Sequence, residues 1–198
     1  MSHSCLSFTI LRQFQPFFST SAFSLPTPVS NFKSPPTRSP STGLLLTCAV
    51  NTEELDQEVR LSVYRHLVRT GQAPTLRDTS GDVGVEPTTI SASLERLAAN
   101  RVLVLDPTTR GLWMAMPFSA VPTEFRVTSG ERAWWANCAW DALGISAMLQ
   151  TPAEIVSSCA DCGDPLIVRT TGRALTDTTG VVHFAVPAAE WWDDIGFT

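Results

Sequence analysis

"ERAWWANCAWDALGISAML", residues 131–149, is the stretch on which the fold turns. Ala, Leu and Met favour a helix, and Ser129 or Gly130 can cap one, so the whole run reads as a single helix. On that helix Cys138 and Asp141 stand at i and i+3, on one face, among Trp134, Trp135 and Trp140. Taken alone, Cys138 is a small core residue and Asp141 a solvated helix charge. A thiol and a carboxyl one turn apart in an apolar run point instead to shared chemistry.

The flanks of this run read as strands. "AEIVSSC" (153–159), "PLIVRTT" (165–171) and "VVHFAVP" (181–187) are β-like, and "CADCGDP" is a tight turn between the first two. "AAEWWDDIGF" reads as a short final helix, with Trp191 and Trp192 as core or as a lid. "MPFSAVPTEFRV" reads as an extended connector leading in. In an alternating strand, His183 reads as a packed residue rather than a ligand.

Upstream, residues 53–70 carry Leu55, Val59, Val63 and Leu67 at helical spacing, widened by Leu61, Tyr64 and Val68. Thr52 is the predicted cap and Gly71 the predicted stop. "PTLRDTSGDVGV" gives a poor, short helix. Pro87 opens a third, with Ile90, Leu94 and Leu97 on one face. "VLVLDPTTRGLWMAMPF" then reads as two strands around a turn. Three helices and a hairpin in that order make a winged helix-turn-helix. That arrangement often reads DNA, but phosphate neutralisation needs cations. Residues 51–120 are net −2, and the would-be recognition helix sets only Arg96 and Arg101 against Glu86 and Glu95. A structural role is expected and nucleic-acid binding is not.

The chain has 198 residues and a formal charge of −5, unevenly spread. Residues 1–50 are net +3 without an acid, while 121–198 are net −6. Residues 2–47 are rich in Ser and Thr and dotted with Pro, a composition of organelle transit peptides. "LTCAV" at 46–50 is similar to a chloroplast cleavage site between Cys48 and Ala49. The other reading is a disordered extension. A transit peptide implies an organelle, chloroplast ahead of mitochondrion; without one the expectation is cytoplasmic. No stretch reaches the roughly 18 apolar residues of a spanning helix. The expected division is a leader over 1–48, a winged-helix-like domain over 52–120 and a chemistry-bearing domain over 121–198. The expected class is α+β, the last domain being a small α/β unit with a mostly antiparallel sheet.

Two of the five cysteines, Cys5 and Cys48, fall in the leader. The other three are an odd number, which does not suit a pure disulfide framework. Free thiols or metal ligands suit them better. Cys159 and Cys162 form a lone Cys-x-x-Cys, so a four-cysteine zinc site is excluded within the chain. With Cys138 and His183 they would make a three-cysteine, one-histidine zinc set. A redox dithiol is the other reading, although strand–turn–strand is not the thioredoxin context.

The C-terminal block resembles the organomercurial (alkylmercury) lyases. The resemblance rests on "NCAWDAL", a second cysteine in "SSCADCGDP" 21 residues after the first, and "VHFAVP" before an acid–tryptophan segment. The winged-helix piece matches the family's layout too, so the resemblance covers about 53–198. It implies protonolysis of carbon–mercury bonds, giving a hydrocarbon and Hg(II), with Cys138 and Asp141 as the catalytic pair. Mercury is soft and prefers thiolates; breaking its bond to carbon needs a thiolate on the metal and an acid to deliver a proton. The aromatic neighbours would supply an apolar pocket that keeps that acid protonated. The expected metal contacts are Cys138, Asp141, Cys159 and Cys162, with no bound cofactor. The expected partners are a small organomercurial and small thiols that remove the product. The family's second catalytic cysteine falls at Thr179, which cannot replace a thiolate; Cys159 or Cys162 substitutes, or activity is weakened or absent. The chain also stops at Thr198 where family members continue. Two other readings stand beside the enzyme: a non-catalytic metal- or thiol-binding protein, in which zinc is possible, and a winged-helix metal-responsive regulator. The missing cysteine favours the former, and the acidic helical segment disfavours the latter.

Overall fold

A computed structural model describes residues 51–176, 182–184 and 186–196. The expected leader at 1–48, Thr179 and the end of the chain at Thr198 lie outside the described residues. Three helices come first: α1 (Thr52–Thr70), α2 (Leu76–Val83) and α3 (Pro87–Ala99). Asn51, not Thr52, caps α1, its side chain accepting the Glu53 N–H at 3.2 Å. Gly71 ends the helix in the left-handed region, at φ 71°. A Cβ there would overlap the Ala133 carbonyl oxygen, so glycine serves both the backbone conformation and the close approach. Thr75 and Asp78 close a capping box on α2, which makes a helix of a segment with poor intrinsic propensity. Pro87 stands in the first turn of α3.

Seven strands follow in one antiparallel sheet: β1 (Val104–Leu105), β2 (Leu112–Ala115), β3 (Phe118–Ser119), β4 (Phe125–Ser129), β5 (Arg132–Ala136), β6 (Ala153–Ser158) and β7 (Pro165–Thr170). Their spatial order is β1-β2-β3-β5-β4-β6-β7. A fourth helix, α4 (Ala139–Leu149), lies between β5 and β6 in the chain and packs on β4, β5 and β6. The class is therefore α+β, as expected. The sheet runs without a break across position 120, because β3 pairs with β5.

Several expectations fail locally. Residues 131–149 are not one helix. Arg132–Ala136 form β5, and only Ala139–Leu149 are helical. Tryptophan suits a pleated, half-buried surface, and Gly130, at φ 59°, turns β4 back into β5. Ser129 and Gly130 thus serve a hairpin, and Cys138 is the residue that precedes the helix. The expected connector holds β3 and β4, where Phe125 and Val127 alternate with Arg126 toward the interior. The strand expected at 181–187 is absent from its described part. Val182, His183 and Phe184 have no regular structure, and His183 is exposed rather than packed. Phe184 spends its apolar surface on aromatic rings, not on a ladder. The final helix is a three-residue 3-10 turn, Ala188–Glu190.

The core joins both halves. Val59, Val63 and Leu67 of α1 and Ile90 of α3 meet Phe118, Val127, Trp134 and Ile145 in one cluster. Across the sheet Val127 stands opposite both Trp134 and Ile155, so these form one buried row. The Trp134 indole N–H donates to the Leu67 carbonyl at 3.0 Å. This fixes β5, and with it the segment that follows, against the end of α1.

Candidate functional site

β5 ends at Ala136, and two residues carry the chain into α4. Asn137 makes the turn. Cys138 adopts an extended conformation (φ −150°, ψ −179°) as the residue before the helix, and its carbonyl accepts the first helical bond, from the Ala142 N–H at 2.9 Å. Asp141 is the third residue of the helix. The pair therefore sits at the helix entrance rather than along a helix face, and the positive end of the α4 dipole lies at the thiol.

Both groups are partly buried. Burial pushes the Cys138 thiol above its ordinary value; the Asp141 N–H opposes this, the Asp141 charge adds to it, and the Trp140 N–H opposes it. Burial likewise raises the Asp141 carboxyl, against one hydrogen bond that favours its ionised form. That bond comes from Asn137, whose Nδ2 donates to Asp141 Oδ2 at 2.9 Å and lies 3.4 Å from the Phe118 carbonyl. The Asn137 Oδ1 is buried and without a partner among the described residues.

Tyr64 arrives from α1. Its hydroxyl donates to the Met116 carbonyl at 2.9 Å. Burial raises its pKa, the Arg60 guanidinium over its ring opposes the rise, and the Asp141 charge adds to it. Sequence reading placed Tyr64 only in the apolar stripe of α1 and gave Asn137 no role. The adjacency of Asn137 to Cys138, four residues before Asp141, was the available signal for Asn137. Nothing in the sequence near Tyr64 announces its neighbour 77 positions away.

An apolar cavity of about 440 Å³ is lined by Trp140, Phe184, Val186, Pro187, Ala188 and Trp191. Phe184 meets Trp140 edge-on, with centroids 6.4 Å apart, and Trp191 at 5.4 Å. The Trp191 indole donates to the Val186 carbonyl at 2.9 Å. Trp191 is thus a wall of this cavity, whereas Trp192 lies under the Arg101 guanidinium. Trp140, two residues after Cys138, is another wall of the cavity.

Cys159 and Cys162 occupy the turn between β6 and β7 and are free thiols, as is Cys138. Among the described residues, no three His, Cys, Asp or Glu side chains gather as a metal site, so Cys138, Cys159, Cys162 and His183 do not assemble into a zinc set. No helix among them is long and apolar enough to cross a membrane.

A thiol and a partly buried carboxyl thus meet at one helix entrance, on an antiparallel sheet. Residues 118–198 match the family model of MerB, alkylmercury lyase. Among solved structures the chain is similar to the mercury-bound form of MerB2, at 26% identity and a TM-score of 0.50, with 65% of each chain covered. The similarity to the alkylmercury lyase family is thus carried by the C-terminal part of the chain, residues 118–198. The chain as a whole spans about 65% of the length of that MerB2 structure. No curated protein shows significant similarity to it.

Proposed function

We propose that the chain cleaves carbon–mercury bonds by protonolysis, with Cys138 as the metal-binding thiol and Asp141 as the proton carrier. The observation that carries this reading is the burial of Asp141 beside Cys138, which makes the carboxylate a better proton acceptor next to a soft ligand. Cys138 gives its proton to the Asp141 carboxylate as its sulfur bonds to mercury and displaces the halide or thiolate that the organomercurial carried, which leaves to solvent. A second thiolate, from a small external thiol, then joins the metal. The Asp141 proton passes to the leaving carbon, the carbon–mercury bond breaks, and its electron pair becomes the new C–H bond. The products are the hydrocarbon and mercury held between two sulfurs. Asn137 orients the carboxyl, and the Trp140–Phe184–Trp191 cavity receives the organic group. Residues 52–120 form a winged-helix-like support for this site and do not read DNA. No resident cofactor is required, and an organelle is the proposed location, through the acid-free leader.

One observation favours a second reading. Thr179 stands where the resemblance expects a second catalytic cysteine, which fits a thiol-binding protein that retains mercury without turnover. The two separate in one assay. The full chain, given an organomercurial and excess thiol, should release the parent hydrocarbon, and Cys138→Ser should abolish release, because an alcohol neither binds soft mercury nor ionises near neutral pH. Thr179→Cys should raise the rate. Tight mercury retention with no hydrocarbon leaves the second reading.

A further inference from the structure

We propose that Cys159 and Cys162 form a second, surface thiol site that chelates a thiophilic two-coordinate cation such as mercury(II), separate from the Cys138–Asp141 pair. The turn that holds them is built for closeness. The Gly163 N–H donates to the Cys159 carbonyl and the Cys159 N–H to the Asp164 carbonyl, each at 2.8 Å, and Gly163 takes φ 76° to close the loop. This brings two cysteines three positions apart to one hairpin tip, with Cys162 exposed and Cys159 partly so.

The donor set selects the ion. Zinc in a structural site takes four ligands in a tetrahedron, and no third His, Cys, Asp or Glu joins this pair among the described residues. A soft cation satisfied by two sulfurs needs no more. On binding, two metal–sulfur bonds form and the two thiol protons leave to solvent; nothing is oxidised or reduced. The register places the two sites relative to one another. Arg126 of β4 stands opposite both Trp135 of β5 and Val156 of β6. Both strands run antiparallel to β4, so Cys138 and Cys159, each three residues further on, leave the sheet at the same end. The strands that lead to them, β5 and β6, are two strand spacings apart, roughly 10 Å. The site itself needs only the thiols and does not depend on the lyase reading.

The test maps thiol protection. The reduced full chain and its Cys138→Ser variant receive one equivalent of mercury(II) chloride with millimolar mercaptoethanol as competitor, then a thiol alkylator, and each cysteine peptide is quantified by mass spectrometry. Cys159 and Cys162 should be protected together in both proteins, at one mercury per chain. In Cys159→Ser or Cys162→Ser the surviving thiol should lose protection roughly a hundredfold, because the second bond is no longer intramolecular. Equal alkylation with and without mercury would overturn the proposal. So would half an equivalent bound in a dimer, which indicates a shared four-sulfur site, and so would a Cys159–Cys162 disulfide that persists in the thiol. Absence of hydrocarbon release in the separate activity assay leaves this result intact.

Discussion

At Asp141, burial and hydrogen bonding compete, and burial prevails. Its folded pKa therefore lies above the ordinary carboxylate value of 3.8. For a carboxyl raised in this way, the stabilising contribution is complete below its unfolded pKa and is lost as pH rises through the folded one. The ionised group at neutral pH is thus a cost. Asp141→Asn should match the parent in acid and melt at a higher temperature toward neutral pH, a widening gap that thermal melts across that range would display. The same substitution should retain mercury binding yet slow hydrocarbon release by roughly a hundredfold or more, since an amide cannot relay the proton. A constant melting gap, or unimpaired release, would remove Asp141 from the proton path. That Cys138 and Asp141 lie near one another was legible from their spacing. The supports were not: Asn137 and Tyr64 act through contacts that only the chain's folding creates.

Elements were legible where the signals agreed. α1 and α3 combine an apolar stripe with a recognisable start, and β6 and β7 flank an unmistakable turn. The sequence misled at 131–149, where helix-favouring Ala, Leu and Met adjoin tryptophans that suit a strand. Propensity alone cannot say that β4 lies ready to pair, and tertiary pairing overrode it. The join between α1 and β5 offers a sharp check. Gly71→Ala would hold a side chain at positive φ, a cost of roughly 1–3 kcal/mol, and would also press a methyl group on the Ala133 carbonyl. Urea unfolding should show a loss at the upper end of that range or beyond. A change below about 0.5 kcal/mol, the scale of an ordinary surface substitution, would mean that this joint is slack.

For the molecule as a whole, charge and composition say more than motif. The two cations of the would-be recognition segment, Arg96 and Arg101, are engaged within the protein. Arg96 forms a two-pronged ion pair with Asp56, with Nε 2.9 Å from Oδ2. Arg101 covers the Trp192 ring at 5.4 Å. Glu95 is paired to Arg110. A selection from random duplexes should therefore yield no enriched motif; one that is enriched and salt-sensitive would restore the regulator reading. Residues 1–48 lack acids and any periodic apolar face, so a chain starting near Ala49 should melt like the full one, and a clear fall in melting temperature would count against this. The α+β class was readable from the order of patterned segments. The single sheet was not, because β3 is two residues long and its pairing with β5 has no local signature.

The indole of Trp134 reaches back to a carbonyl 67 residues earlier, and this has a consequence for how the chain comes into being. During synthesis α1 is complete long before β5 leaves the ribosome, and it must hold its apolar face in reserve until then. The helix entrance that carries Cys138 is set only when that late strand docks on the early helix. A fragment cut at residue 118, where the family match begins, would keep every thiol and acid of the site and lose the wall they are built against.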